Sequence, residues 1–305
     1  MDTLAPSTLE APGTVIIDDR DPERPSRRTL AFSDPVDVLI ARSAEEVNDT
    51  LTRIDALLAS GKHLAGYLAY DAGLVLDKPI QSRHAPTGPL IWLGVYDRCR
   101  ELDTCELEHG SAADISDGCL NVTEDEYIRC IDRIRDYIAA GDVYQVNYTV
   151  KLRFEHAQPA WRLFARLRQA HPVGYSAYIN TGDAQIVSLS PELFLRRDGD
   201  HVLTRPMKGT ARRGRWFSED MEIIDELEHE SRGVYCGCIG YLRPSGDCLL
   251  NVAIRTIVQR SNQCEMGLGS GIVADAAPRM RPVAGYLASP NSIRGQGCRA
   301  GYHPR

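Results

Sequence analysis

The sequence predicts an α+β fold of largely antiparallel sheet with flanking helices. Stretches alternating with period two and stretches of helical period come in clusters, without the regular strand–helix succession of a parallel sheet. "ELFLRRDGDHVLTR" reads as a hairpin about an Asp-Gly turn, which joins strands that must run antiparallel. A helix with start and stop signals at both ends lies directly before an alternating segment.

Residues 1–30 are rich in Pro and Asp and are expected to be poorly ordered, at least until "TVIID". From "DVLIARSAEEVNDTLTRIDALLASGK" the pattern predicts a helix closing near Gly61. "HLAGYLAYDAG" and "PLIWLGVYD" read as buried strands, and "CRELDTCELEHGSAADISDG" as a hairpin or loop excursion. Thr123 and Glu126 form a capping box, in which each side chain satisfies a free backbone N–H. Tyr127, Ile128, Ile131, Ile134, Tyr137 and Ile138 recur at helical spacing, and Gly141 supplies the stop. In "VYQVNYTV", Tyr144, Val146, Tyr148 and Val150 fall on one face; Gln145, Asn147 and Thr149 fall on the other. That polar face is expected to meet solvent, with a cavity lining as the alternative. "AWRLFARLRQAHP" is a second amphipathic helix, followed by strands "GYSAYIN" and "AQIVSLS". A single domain over residues 31–275 is expected, with a disordered or loosely attached tail from 276 to 305 that holds no Asp or Glu and five Arg.

Composition narrows the function. The 305 residues carry a net charge of −7, and no basic stripe interleaved with aromatics marks a nucleic-acid footprint. No run is long and apolar enough for a membrane helix, and the start lacks the layout of a secretion signal. Nine irregularly spaced cysteines suggest reduced thiols and a cytoplasmic location. Cys236 and Cys238 have no second pair at zinc-ligand spacing, so they read as packing residues.

Pairing about Asp198-Gly199 sets opposite each other residues whose numbers sum to about 397–400. Glu192 and Lys208 therefore fall near one end of the hairpin, a carboxylate beside an amine. Such a pair suits acid/base or nucleophilic chemistry in a partly buried pocket, but at a sheet end it is more often a surface ion pair.

"GDVYQVNYTVKL", "IVSLSPELFLRRDGDHVLTRPMKGTARRG", "MEIIDELEHESRGVYCGCIGYL" and "NVAIRTIV…GSGIVAD" resemble, in order, blocks of the chorismate-utilising enzymes. The resemblance runs from about residue 60 to Asp275. It implies that family's fold and chorismate as substrate. Lys208 in "PMKGT" stands where members making anthranilate, isochorismate or salicylate typically carry Ala, and it resembles the members that aminate chorismate at C4. The resemblance then implies Lys208 as a covalent nucleophile, with Arg205, Arg212 and Arg213 as candidate neighbours favouring the free amine, and Glu192 as acid/base carboxylate. It implies substrate contacts from Thr210, Tyr241 and Arg255 and from the backbone amides of Gly269, Ser270 and Gly271. It also implies ammonia from a glutamine amidotransferase partner, since this chain has no Gly-x-Cys-x-Gly turn of its own.

The chain departs from the family in two places. Between "KGTARRG" and "MEIIDELE" the family carries a long segment with a magnesium-ligand glutamate, a histidine-containing strand and a glycine-rich loop; here an internal deletion near 215–218 removes it. After Asp275 the family's glutamate-rich helix, with a second ligand, is missing. Mg²⁺ is expected for the family, but neither ligand glutamate is present, so no metal residue is assigned. Glu219, Asp220 and Glu222 read as the acidic first turn of a helix capped by Ser218 rather than as substitutes. The expectation is a shortened member that keeps the nucleophile and part of the pocket, with impaired turnover. An anthranilate-synthase-like enzyme and a non-catalytic remnant are the alternatives.

Overall fold

A computed structural model describes residues 2–21, 28–76, 84–102, 105–107, 118–205 and 223–276. In chain order the elements are β1 (Asp2–Thr3), α1 (Pro6–Glu10), β2 (Val15–Asp19), β3 (Arg28–Phe32), β4 (Asp37–Ala41), α2 (Ala44–Ala59), β5 (His63–Leu68), α3 (Tyr70–Leu76) and β6 (Ile91–Tyr96). There follow β7 (Arg100–Leu102), β8 (Cys105–Glu106), β9 (Cys119–Leu120), α4 (Glu124–Ala140), β10 (Val146–Glu155), α5 (Ala160–Ala170), β11 (Tyr175–Asn180) and β12 (Gln185–Ser190). The last are β13 (Leu193–Asp198), β14 (His201–Arg205), β15 (Cys238–Leu242), β16 (Cys248–Val252), β17 (Thr256–Arg260) and β18 (Gln263–Ile272).

Two large sheets dominate. One runs β7-β3-β2-β11-β12-β17-β18-β10-β9, the other β14-β13-β16-β15-β5-β6-β4. All their pairings are antiparallel, as the hairpin and the clustered strands predict. Their inner faces share a core: Ile17, Phe32, Ala177 and Ile186 from the first meet Tyr67, Trp92, Tyr241 and Leu249 from the second. The outer face of the first sheet packs on α4 and α5 through Ile131, Trp161 and Phe164, and that of the second on α2 through Val47 and Ile54. The result is four layers, helix–sheet–sheet–helix.

Local chemistry explains most boundaries. Thr123 caps α4 in a reciprocal box with Glu126, and Gly141 closes it at φ 83°. The hairpin pairs Arg197 with Val202 and Asp198 with His201, within the predicted register, with Gly199-Asp200 in the turn. Three expectations are corrected. "DVLIA" is strand β4 rather than helix, because Ser43 forms its own capping box with Glu46 and starts α2 there. "YDAG" opens the short helix α3 rather than extending β5. Residues 4–21 are ordered: Leu4 and Leu9 are buried, and β2 lies inside the nine-stranded sheet between β3 and β11. The Asp residues that suggested disorder there are neutralised by arginines from elsewhere in the chain. The segment 206–222, the break near 215–218 and the tail after 276 lie outside the described residues.

Candidate functional site

The β12–β13 corner and the β16–β17 corner are tied together by backbone. Leu189 N donates to the Arg255 carbonyl at 3.1 Å, and Val252 N donates to the Glu192 carbonyl at 3.1 Å. Ser190 Oγ bridges them, donating to Val252 O at 2.6 Å and accepting from Glu192 N at 3.1 Å. Glu192 and Arg255 are thus neighbours, both half-buried, at the end of β12 where Ser190 pairs with Tyr175.

The glycine strand arrives at the same end. β17 and β18 pair from Arg260–Gln263 to Ile257–Met266, so continuing along β18 through Gly269 and Gly271 leads toward Arg255. Beyond Met266 this strand keeps β10 as its partner, with Gly269 opposite Thr149 and Gly271 opposite Asn147. The segment after Arg232 completes the corner, since Cys236 N donates to Ala253 O and Ala253 N to Gly237 O. Cys236 and Arg255 both adopt left-handed backbone, φ 62° and 54°. For non-glycine residues such conformations cost of order 1–3 kcal/mol each and concentrate at functional sites.

Tyr235 is the residue that the sequence reading missed. Its ring lies over Gly267, and a Cβ at Gly267 would collide with it. Its hydroxyl reaches Gly269, where a Cβ would collide with the phenol oxygen and crowd the Asn147 amide at 2.9 and 3.0 Å. The close approach that glycine permits is taken up here by a tyrosine. Burial pushes the phenol well above its ordinary pKa, and nearby Cys236 adds to that; Arg232 and a backbone hydrogen bond from Gly269 act against it. Tyr235 stays protonated and can donate a hydrogen bond to an anion. A tyrosine one turn before a predicted strand, in "RGVYCG", carries no periodic signal that would single it out.

Tyr241 lies elsewhere. It is three residues beyond Cys238 on β15, roughly 10 Å along a strand at ~3.3 Å per residue. Its ring fills the inter-sheet core and its hydroxyl accepts from Arg28 at 3.2 Å. The alternation of β15 turns Ile239 and Tyr241 inward together, so the residue expected in the pocket is a core residue. Ser270 is buried on the opposite strand face, opposite Tyr148. Lys208 and Thr210, with Arg212 and Arg213, lie outside the described residues.

The polar face of β10 is covered rather than solvated, with Thr149 buried and Asn147 half-buried, contrary to the expectation of solvent. Thr149 N donates to Glu228 at 3.0 Å, and Lys151 is 3% exposed with Nζ 2.8 Å from Glu265 and 3.5 Å from Glu230. The segment 228–232 covers this face, held by a bidentate Arg232–Glu228 pair and by Arg232 Nη2 donating to the Asn147 carbonyl at 2.7 Å. Two carboxylates near Lys151 shift in opposite directions. Burial raises Asp71 despite a hydrogen bond from Gly233. Burial also pushes on Glu230, but the Asn121 amide, Lys151 and Arg153 outweigh it and hold that carboxyl low. No group of three or more His, Cys, Asp or Glu side chains among the described residues is arranged to hold a metal ion. No chemical step is assigned to a metal ion. No helix among the described residues is long and apolar enough to cross a membrane.

The profile of the chorismate binding enzyme family matches residues 14–221 and 218–280, two segments that meet where the sequence shows its break. The chain belongs to that family. Among curated relatives, aminodeoxychorismate synthase component 1 of Bacillus subtilis is 26% identical over 246 residues, covering 52% of each chain. Anthranilate synthase component 1 of Thermus thermophilus is 36% identical over 112 residues, 37% of this chain and 24% of the relative. The chain spans about half the length of the first of these relatives. Among solved structures, anthranilate synthase component I from Streptococcus pneumoniae superposes with a TM-score of 0.71 at 18% identity, covering 90% of this chain and 93% of that one. The menaquinone-specific isochorismate synthase from Escherichia coli gives 0.62 at 13% identity, covering 97% and 91%. The fold is that of the chorismate-utilising enzymes.

Proposed function

We propose that this chain acts on chorismate, aminating it at C4 to give 4-amino-4-deoxychorismate, a precursor of 4-aminobenzoate and folate. The observation that carries this reading is Lys208 in "PMKGT", in a chain whose Glu192, Arg255 and glycine strand meet at one corner. The Lys208 amine, as the free base, forms a bond to ring C2. Both ring double bonds shift, from C1=C2 and C5=C6 to C6=C1 and C4=C5, and the C4 hydroxyl leaves as water with a proton from Glu192. Ammonia then bonds to C4, both double bonds shift back, and the C2–N bond to lysine breaks. Arg255 and the Tyr235 hydroxyl bind substrate carboxylates, and the amides of Gly269, Ser270 and Gly271 line the approach. A glutamine amidotransferase supplies the ammonia, and free ammonium substitutes for it in the test tube. Turnover is slow, because the segment that brings the family's metal-ligand glutamate is missing.

Relatives of both kinds match, so anthranilate formation is the second reading; a non-catalytic remnant is the third. Incubation with chorismate, ammonium and Mg²⁺, with product separated by chromatography, distinguishes them. The expected product is 4-amino-4-deoxychorismate from the native chain and none from Lys208→Ala. Anthranilate from both would establish the second reading. No product from either, with a cooperative melt, would establish the third.

A further inference from the structure

A cavity of about 190 Å³ opens between the two sheets, running along β17 from Thr256, beside Arg255, to Arg260 at the opposite end. Its walls include Trp92, Tyr67, Ile186 and Val258, and Tyr235 and Gly267 line it on the side of the glycine strand. Pockets for drug-sized ligands run to roughly 300–1,000 Å³, so this one has room for a single ring with its substituents.

The charges around it are not balanced internally. Lys151 is neutralised by Glu265 and Glu230, and Arg232 by Glu228. Arg42 and Arg260 also line the cavity, and among the described residues neither pairs with a carboxylate. Arg260 Nη2 only donates to the Thr87 carbonyl, at 3.3 Å. Asp183 is the one lining acid left to offset these two cations. Both guanidinium groups act on the same buried hydroxyl: burial raises Tyr67 to about 12, while Arg260 and Arg42 pull against it. Two cations converging on a phenol O–H beside a tryptophan face form a carboxylate receptor with a flat apolar wall.

We propose that this cavity binds a small aromatic carboxylate of the benzoate class at a second site, separate from the Glu192–Arg255 corner. The ring lies against Trp92, and the carboxylate accepts from Arg42, Arg260 and the Tyr67 hydroxyl. Thr256 and the Lys151–Glu265 pair at the floor offer partners for a polar ring substituent.

Titration calorimetry with benzoate and 4-aminobenzoate tests this, with benzamide as the uncharged control and cyclohexanecarboxylate as the non-aromatic one. Saturable binding at one site is expected, weakened tenfold or more by Arg260→Gln and by Arg42→Gln. Both arginines are exposed, so neither change should alter the melting temperature. Arg255→Gln should leave benzoate affinity within twofold while weakening chorismate binding. Loss of benzoate binding in Arg255→Gln, equal binding of benzamide, or no saturable binding at millimolar benzoate would each overturn the second site.

Discussion

The two ends of the inter-sheet space are both rich in charge, yet they are built in opposite ways. At the Tyr175 end, Asp18, Asp19 and Asp21 are fully buried and saturated by arginines. Arg168 holds Asp18 through two bonds of 2.5 and 2.7 Å, with Ser176 and Thr29 donating to the same carboxylate. Arg196 spans Asp19 and Asp21, and Arg205 joins Asp21. At the Thr181 end, Arg42 and Arg260 face a cavity, and among the described residues no carboxylate pairs with them. A saturated cluster is structure; an unsaturated one beside open space is a place for a ligand.

The largest effect that would break this contrast is at the saturated end. Asp18→Ala removes the carboxylate that Arg168 holds in the core, and breaking a buried ion pair typically costs about 3–5 kcal/mol. Urea unfolding should show that loss, whereas Arg42→Gln should stay within ~0.5 kcal/mol, as exposed substitutions usually do. Equal losses would erase the distinction. Next comes the glycine strand: Gly269→Ala forces a Cβ into Tyr235 and Asn147. Overpacking of this kind costs roughly 1–3 kcal/mol. Chorismate affinity should fall with it, and Gly269→Ala combined with Tyr235→Phe should recover part of the stability.

Smaller effects concern the two carboxylates beside Lys151. The folded state raises Asp71 above 3.8, so it binds the proton more tightly than the unfolded chain does. Its contribution is therefore greatest at low pH and declines as pH rises from about 3.8 through the raised value. Glu230 behaves oppositely: held below 4.5, it stabilises above that pH and its contribution is lost as pH falls. Unfolding free energies measured from pH 3 to 7 should rise less steeply with pH in Glu230→Gln and more steeply in Asp71→Asn than in the parent. The smallest change is Thr123→Ala, which removes the capping box of α4 and should cost about 1 kcal/mol.

Legibility followed the range of the forces. Local chemistry could be read directly: Thr123 with Glu126, Gly141, and the hairpin register all act within a few residues and hold in the structure, although the turn itself is Gly199-Asp200 and not the expected Asp198-Gly199. The Glu192–Arg255 neighbourhood was carried by family resemblance, and backbone bonds between the two corners now account for it. What sequence could not show depends on distant partners. The acidic N-terminal strand looked poorly ordered without knowledge that Arg168 and Arg196, 150 and 177 residues on, neutralise it. Thr149 looked like part of a solvent face because nothing local shows that residues 228–232 return to cover it. Tyr235 and Tyr241 exchanged places in importance because only strand register decides which one meets the glycines.

Lysine chemistry is the centre of the functional proposal, and it can be observed before turnover. The protein should be mixed with chorismate while ammonium is withheld, then digested and analysed by mass spectrometry. A peptide containing Lys208 that gains the mass of chorismate less water, and is absent from Lys208→Ala, is the predicted result. An unmodified Lys208 peptide from a sample that nonetheless forms aminated product once ammonium is added would contradict it.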